Sequence, residues 1–166
     1  MMASESPLDT NALFQIAWDS GQKGDWDHAR RCYERGAILG DPQCIQALGY
    51  MYDVGEGVPA DKAMAMKLYR RAWRLGDHAA ASNIAVLYRE QGKTRTMLQW
   101  FRRLADAGDG SAQLDMAKCY LDGRGVRRNL QAAAKCLANA AASPFISEAE
   151  REEAQSLLDT LRPRAV

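Results

Sequence analysis

The chain has 166 residues and a mass of 18.4 kDa, and 47% of its residues are hydrophobic. This length and composition suit one folded domain with its own core and exclude a disordered or fibrous chain. Twenty-two basic residues against 21 acidic ones leave a net charge of +1, which excludes the strong positive field typical of nucleic-acid-binding or anionic-membrane-binding proteins.

The amino-terminal stretch MMASESPLDTNALFQIAW has neither a basic head nor an unbroken apolar run. It is therefore predicted to be neither a secretory signal nor a membrane anchor, and a cytoplasmic protein without membrane insertion is expected. Residues 1–9 are expected to form a tail, in which Ser6-Pro7 begins a helix and Leu8 supports the first repeat.

An internal repeat follows this tail. A Gly-Asp step ends at Asp41, Asp77 and Asp109, with spacings of 36 and then 32 residues. An aromatic residue stands seven positions before each of these glycines, at Tyr33, Tyr69 and Phe101. Small residues recur in a second position, at Ala17, Gly49, Ala85 and Ala117. Spacings of three to five between small and large apolar positions predict helices and not strands.

Capping residues mark where the helices of each repeat begin. First helices are predicted to start after Asp41, Asp77 and Asp109. Second helices are predicted to start after Asp25, Asp61 and Asn129. Each side chain offers an oxygen to the unpaired amides of a first turn. In the third repeat Lys93 occupies this position, and the neighbouring Thr94 is expected to cap the helix instead.

The pattern predicts an all-α fold of four helical hairpins, at about residues 10–41, 42–77, 78–109 and 110–144. Two helices alone cannot bury both of their faces, so the hairpins are expected to stack as an α-solenoid with a continuous core. A capping helix is predicted over residues 145–162. Ser147 and Glu150 form a capping box at its start. Its apolar stripe is Ala154, Leu157, Leu158 and Leu161.

The stretch GEGV at residues 55–58 could in principle be a phosphate-binding loop, and GRGV at 123–126 repeats it. A phosphate loop follows a strand, opens a helix and usually ends in Gly-Lys-Ser/Thr. The segment instead follows a helix and continues into Pro59, so its glycines are predicted to leave the helix through positive φ. Val58 and Val126 are expected to pack inward, and no cofactor is expected.

Metal binding is also disfavoured. The four cysteines form no Cys-x-x-Cys pair, and the only two histidines, His28 and His78, lie far apart. No metal site is therefore expected.

Repeats two and four resemble the Sel-one-like repeat family, a branch of the tetratricopeptide superfamily. The family pattern is Ala, Leu-Gly-x-x-Tyr, Gly-x-Gly-Val, Asp, Ala, Trp/Leu-Tyr, Ala-Ala and Gly. Repeat two matches it at Leu48, Gly49, Tyr52, Gly55, Gly57, Val58, Asp61, Ala65, Tyr69, Ala72 and Gly76. Repeat four matches it at Ala112, Ala117, Tyr120, Gly123, Gly125, Val126, Ala133, Ala140 and Ala141. The resemblance implies a scaffold for other proteins in a bacterial regulatory, secretion or envelope-assembly setting.

The resemblance also bears on the cysteines, because secreted relatives are similar to solenoids in which each repeat carries a disulfide. Only Cys119 and Cys136, in the fourth repeat, could form such a bridge here. The equivalent positions elsewhere are Met51 with Leu68, and Leu87 with Trp100. Reduced thiols that fill the core are therefore favoured over a bridge, and oxidation of the pair stays open.

The first helices of stacked hairpins usually line a concave face, so their free positions are candidate partner-binding residues. These positions are Phe14, Trp18, Gln46, Tyr50, Ser82, Val86, Leu114 and Lys118. Aromatic residues beside polar groups are typical of protein hot spots. The chain is thus predicted to be a non-catalytic adaptor that binds a protein or peptide segment in its groove. Alternatively, Phe14 and Trp18 seal the first hairpin.

Two other functions are open. Stacked hairpins can bind RNA, and arginines recur in register on the second helices at Arg35, Arg71 and Arg103, with Arg70 and Arg102 beside them. Glu34 and Asn139 interrupt this ladder, and the near-zero net charge disfavours nucleic acid. Some secreted relatives imply a hydrolase, but no nucleophile elbow or activated Cys-His pair stands out. Self-association of the solenoid is also open.

Overall fold

A computed structural model describes residues 9–161 of the chain. In this range it contains nine α-helices and no strand, which confirms the all-α prediction. The helices are α1 (Thr10–Gln22), α2 (Trp26–Ile38), α3 (Pro42–Val54), α4 (Lys62–Arg74), α5 (Ala79–Glu90), α6 (Thr94–Asp106), α7 (Gly110–Asp122), α8 (Leu130–Ala142) and α9 (Glu148–Leu161). The predicted helix start at Ser6-Pro7 and the support from Leu8 lie outside the described residues.

The chain divides into two compact units, and the division falls between Ala80 and Ala81, inside α5. In the first unit α1 packs on α2, α3 packs on α4, and α2 and α1 both contact α3. In the second unit α6 contacts α7, α7 packs on α8, and α9 contacts both α7 and α8. Successive hairpins therefore stack within the first unit, as the repeat pattern predicts.

Small residues allow the helices of the first unit to approach one another closely. A Cβ atom added to Gly49 on α3 would lie only 2.9 Å from the Tyr69 ring on α4. A Cβ atom added to Gly36 on α2 would overlap the Cys44 side chain on α3. Ala17 on α1 is fully buried, as is Tyr69. The recurring small positions are thus where large neighbours enter the core.

The capping predictions hold at six of the seven helix starts. The Asp41 carboxylate accepts a hydrogen bond from the Cys44 amide at 2.7 Å, for example. The same type of bond is made by Asp25, Asp61, Asp77, Asp109 and Asn129. The prediction for Thr94 is wrong, because α6 already begins at Thr94 and the preceding Lys93 caps it without a side-chain hydrogen bond. A side chain within the first turn is poorly placed to accept from that turn.

The double-glycine loops turn the chain as predicted. Gly55 and Gly123 end α3 and α7 at φ values of +82° and +70°. The second glycines have a further role that the sequence did not reveal. A Cβ atom on Gly125 would lie 2.6 Å from the Thr94 carbonyl oxygen at the start of α6. Each loop therefore packs against an earlier hairpin, while Val58 and Val126 are only half-buried.

The capping box of α9 is present, since the Ser147 amide donates to Glu150 Oε2 at 3.2 Å and the Glu150 amide donates to Ser147 Oγ at 3.3 Å. Ala154 is buried, and Leu157, Leu158 and Leu161 are half-buried. These residues confirm the predicted apolar stripe. Arg151 donates to the Ala141 and Ser143 carbonyl oxygens at the end of α8, so α9 also satisfies the exposed acceptors of the preceding helix.

Gly125→Ala should destabilise the protein more than Gly92→Ala. Both glycines have positive φ, at +71° and +70°, so both variants lose about 1–2 kcal/mol to the left-handed backbone. Only the Gly125 variant also meets a backbone carbonyl, which adds about 1–3 kcal/mol. Urea denaturation followed by circular dichroism measures the difference. Equal denaturation midpoints for the two variants would contradict a role for the close approach of Gly125 to the Thr94 carbonyl.

Lys93→Asp should stabilise the protein by about 1 kcal/mol. The backbone at Lys93, with φ −84° and ψ 61°, nearly matches that at Asp25, with φ −82° and ψ 69°, where the carboxylate does cap its helix. An aspartate at residue 93 is therefore placed to accept from the first turn of α6. Lys93→Ala is the control, because both variants lose the Lys93 hydrogen bond to Gln91 Oε1 and its cation–π contact with Tyr88. In thermal melts Lys93→Asp should unfold at a higher temperature than this control, and an equal or lower temperature would contradict the expectation.

Candidate functional site

A cavity of about 440 Å³ opens in the first unit, lined by the carboxyl-terminal half of α1, by α2 and by α3. Its volume is within the range of small-ligand sites in proteins. Five aromatic side chains line it: Phe14, Trp18, Trp26, Tyr33 and Tyr50. We call this space the aromatic cavity.

The aromatic cavity brings together the four candidate partner-binding residues of the first unit: Phe14, Trp18, Gln46 and Tyr50. Trp18 and Tyr50 are 52% and 46% exposed. Phe14 is half-buried, with its ring centroid 5.8 Å from that of Tyr33. Phe14 thus contributes to the hairpin core, as the sealing alternative expects, whereas Trp18 keeps half of its surface available to a partner.

The four candidates in the second unit lie elsewhere. Ser82, Val86 and Lys118 are half-buried, and Lys118 forms an ion pair with Glu153 on α9 at 2.8 Å. Leu114 is only 2% exposed, so its prediction as an accessible binding residue is wrong.

Leu114 belongs to α7, which packs against α8 and α6 and also contacts α9. Ser111, one turn before Leu114 on the same face, donates to Glu150 of α9 at 3.0 Å, and Lys118 reaches α9 one turn later. The capping helix therefore occupies the α7 face that the sequence assigned to a partner.

The non-aromatic polar side chains of the aromatic cavity are Gln22, Gln46 and Glu56. Glu56 follows the glycine that ends α3, and its backbone amide donates to the Met51 carbonyl at 3.1 Å. Its carboxylate is half-buried and forms no ion pair or hydrogen bond with any residue in the range 9–161. The glycine loop thus places a carboxylate without a protein partner at the edge of the aromatic cavity.

One cluster of reactive residue types was not evident from the sequence. Ser20 Oγ lies 2.9 Å from His28 Nδ1 and donates to the Ile16 carbonyl at 2.8 Å, while Cys32 Sγ lies 3.7 Å from His28 Nε2. Because the Ser20 proton is directed to a helix carbonyl, the Ser20 oxygen is left to accept a hydrogen bond from the imidazole N–H at Nδ1. The serine is not activated as a nucleophile, and the cluster joins α1 to α2.

The thiols are also poorly suited to chemistry. All four cysteines are free and buried. Burial raises the pKa of Cys44 to about 12, and it also raises the pKa of Cys119 and of Cys136. A raised pKa keeps these thiols in the neutral, weakly nucleophilic form at physiological pH. In residues 9–161 no group of three or more His, Cys, Asp or Glu side chains could hold a metal ion.

Two arginines of the predicted ladder contact their own unit. Arg71 Nη2 donates to the Ala37 carbonyl at 2.7 Å, near the end of α2. The Arg103 guanidinium lies 4.4 Å from the Trp100 ring centroid. Their charges are therefore engaged within the fold. No helix in the described part of the chain is long and apolar enough to cross a membrane.

Known proteins match both the sequence and the fold. A family model for the Sel1 repeat matches residues 11–41, 42–77, 98–109 and 110–144. An uncharacterized protein of Neisseria meningitidis serogroup B is 30% identical over 109 residues, which are 66% of this chain and 23% of that protein.

Two crystal structures are similar to the chain. A protective antigen present in uropathogenic Escherichia coli strains, which displays an SLR fold, has a TM-score of 0.69 and 26% identity over 80% of this chain and 30% of the antigen. A Sel1 repeat protein from Oxalobacter formigenes has a TM-score of 0.74 and 22% identity over 95% of this chain and 72% of that protein. These neighbours confirm the α-solenoid class.

The chain spans less than a third of the length of the Neisseria protein and of the E. coli antigen. The Sel1 repeat model nevertheless matches more than half of the chain, in four segments. The double-glycine loops and buried small residues of the structure agree with that pattern. The chain therefore belongs to the Sel1 repeat family.

Proposed function

We propose that this chain is a non-catalytic adaptor that binds a segment of another protein in the aromatic cavity. The observation that carries this proposal is that a cavity of about 440 Å³ is lined by two exposed aromatic side chains, Trp18 from α1 and Tyr50 from α3. Large aromatic side chains in a concave site with polar neighbours are typical of binding hot spots. Sel1 repeat proteins are also typically protein-interaction scaffolds.

The ordered backbone of the helices around the cavity supports the same function. The cavity walls belong to helices that pack on one another through fully buried residues such as Ala17 and Ile45. A partner segment would therefore meet side chains whose backbone is already ordered, and the entropy lost on binding would fall mainly on the partner. The cavity is sized for side chains of such a segment and not for a folded domain.

Hydrolysis and RNA binding have less support. The Ser20 hydroxyl donates to a helix carbonyl, and the thiol pKa values of Cys44, Cys119 and Cys136 are raised by burial. Arg71 and Arg103 are engaged within the fold. Free thiols are typical of a reducing compartment, so a cytoplasmic setting is part of the proposal.

Replacing both Trp18 and Tyr50 by Ala should weaken the binding of a partner segment. Peptides selected from a random-peptide display library against the wild-type chain should bind this double variant at least about tenfold more weakly, as expected for two hot-spot residues. Fluorescence anisotropy of the labelled peptides measures the affinities. Circular dichroism should be unchanged, because each side chain is already about half exposed to solvent.

Ile38→Ala with Leu39→Ala provides the matched control. These residues belong to the same unit, are 82% and 56% exposed, and do not line the aromatic cavity. Peptides that bind in the cavity should retain their affinity for this control. Selected peptides that bind the Trp18/Tyr50 variant as tightly as the wild type would refute the proposed site.

A further inference from the structure

We propose that the aromatic cavity selects a basic side chain, Arg before Lys, in the segment that it binds. The cation would stack on the aromatic rings and pair with the Glu56 carboxylate. This inference rests on the proposed function, because it names the chemistry of the segment recognised by the same site.

The lining of the cavity has the composition of a cation site. Five aromatic rings line it, two of them indoles, from Trp18 and Trp26. The faces of aromatic rings carry negative potential, and the indole attracts a cation most strongly. A cavity built only for an apolar segment needs no such concentration of rings, since aliphatic side chains bury apolar surface equally well. The aromatic lining therefore favours a cationic group over a neutral one.

Glu56 supplies the complementary charge. Among the cavity-lining residues in the described part of the chain, it alone has an acidic or basic side chain. Its half-buried carboxylate forms no hydrogen bond or ion pair within residues 9–161. A partly desolvated carboxylate gains most from a charge-assisted hydrogen bond, and a guanidinium can offer two parallel donors. An acidic segment would instead be repelled.

Helix ends add to this preference. Gly21 and Gln22 are the last two residues of α1, and Met51 lies in the last turn of α3. The carboxyl-terminal end of a helix carries partial negative charge, which favours a nearby cation.

Two sources of positive charge, which would oppose the binding of a cation, lie near the cavity. The start of α2, which contributes Trp26, carries partial positive charge, but Asp25 caps it and Asp27 lies in its first turn. Lys23, which follows α1, is exposed and is not a lining residue.

Arg is favoured over Lys for a geometric reason. The guanidinium is planar, so it can stack on an aromatic ring and still donate to a carboxylate in its own plane. The Gln22 and Gln46 side chains also line the cavity, and neither makes a hydrogen bond within residues 9–161. Their amide groups are available to the backbone of the bound segment. The geometry points to a linear segment with one Arg side chain inserted.

Capped peptides that differ at one position test this selection. Acetylated and amidated Ala-Ala-X-Ala-Ala, with X as Arg, Lys or norleucine, is titrated into the full-length ¹⁵N-labelled chain. The indole N–H signals of Trp18 and Trp26 are followed by NMR. The Arg peptide should shift both signals with an affinity at least about tenfold higher than the norleucine peptide, and the Lys peptide should be intermediate.

The Glu56→Gln variant separates the contribution of the carboxylate charge to peptide binding from that of the aromatic rings. This variant should bind the Arg peptide about fivefold more weakly and leave the norleucine peptide unchanged. Glu152→Gln, which removes an exposed carboxylate on α9, is the matched control and should bind all three peptides like the wild type. Unchanged circular dichroism shows that each variant is folded.

Three results would overturn the inference. They are an Arg peptide that shifts neither indole signal, a norleucine peptide that binds within twofold of the Arg peptide, and an Arg preference that survives Glu56→Gln unchanged. The proposed function is judged separately by the display selection. Selected peptides that require Trp18 and Tyr50 but contain no basic residue would sustain the adaptor and reject its preference for a cation.

Discussion

The close approach of helices at small residues is the constraint on which the first unit depends. Gly49 leaves room for the Tyr69 ring, and Gly36 leaves room for Cys44. In both places the missing Cβ atom lets a larger side chain from the neighbouring helix occupy the core. An aromatic ring that fills such a space buries a large apolar area while adjacent hairpins stay in register. The hairpins therefore stack because a small residue on one helix faces a large side chain of the neighbouring helix, and this pairing is repeated along the chain.

This constraint also produces the aromatic cavity. When the small faces of α1 and α3 are used for packing, the aromatic residues on the adjoining faces remain at the surface, which explains the exposure of Trp18 and Tyr50. The glycine loop contributes in a second way. Gly57 lies against Trp26, where a Cβ atom would be only 2.5 Å from the Trp26 Cβ. The loop thereby holds Glu56 at the edge of the cavity, so a feature of the repeat becomes part of a binding site.

In the second unit the equivalent face of a first helix is in contact with the capping helix. The first helix of the fourth repeat is α7, and its small residues Ala112 and Ala117 are likewise buried. However, α9 returns over α7 and forms polar contacts with Ser111 and Lys118. Burial raises the pKa of the neighbouring Asp115 carboxyl, although Lys118 opposes this effect. The α7 face that the sequence analysis assigned to a partner is therefore in contact with α9.

Local chemistry in the chain was sufficient to predict the helices, the six side-chain caps and the positive-φ glycines, because each depends on residues only a few positions apart. It also put Phe14, Trp18, Gln46 and Tyr50 among the eight candidate residues on one face of the first helices, since helical register is a local property. Packing between distant segments settled the rest. Leu114 was assigned to a surface because nothing near it in sequence shows that the tertiary structure buries it, and the Ser20, His28 and Cys32 contacts depend on how α1 meets α2. The position of Glu56 beside the aromatic rings likewise required the tertiary structure, because a loop carboxylate acquires its surroundings only when the loop packs on another hairpin.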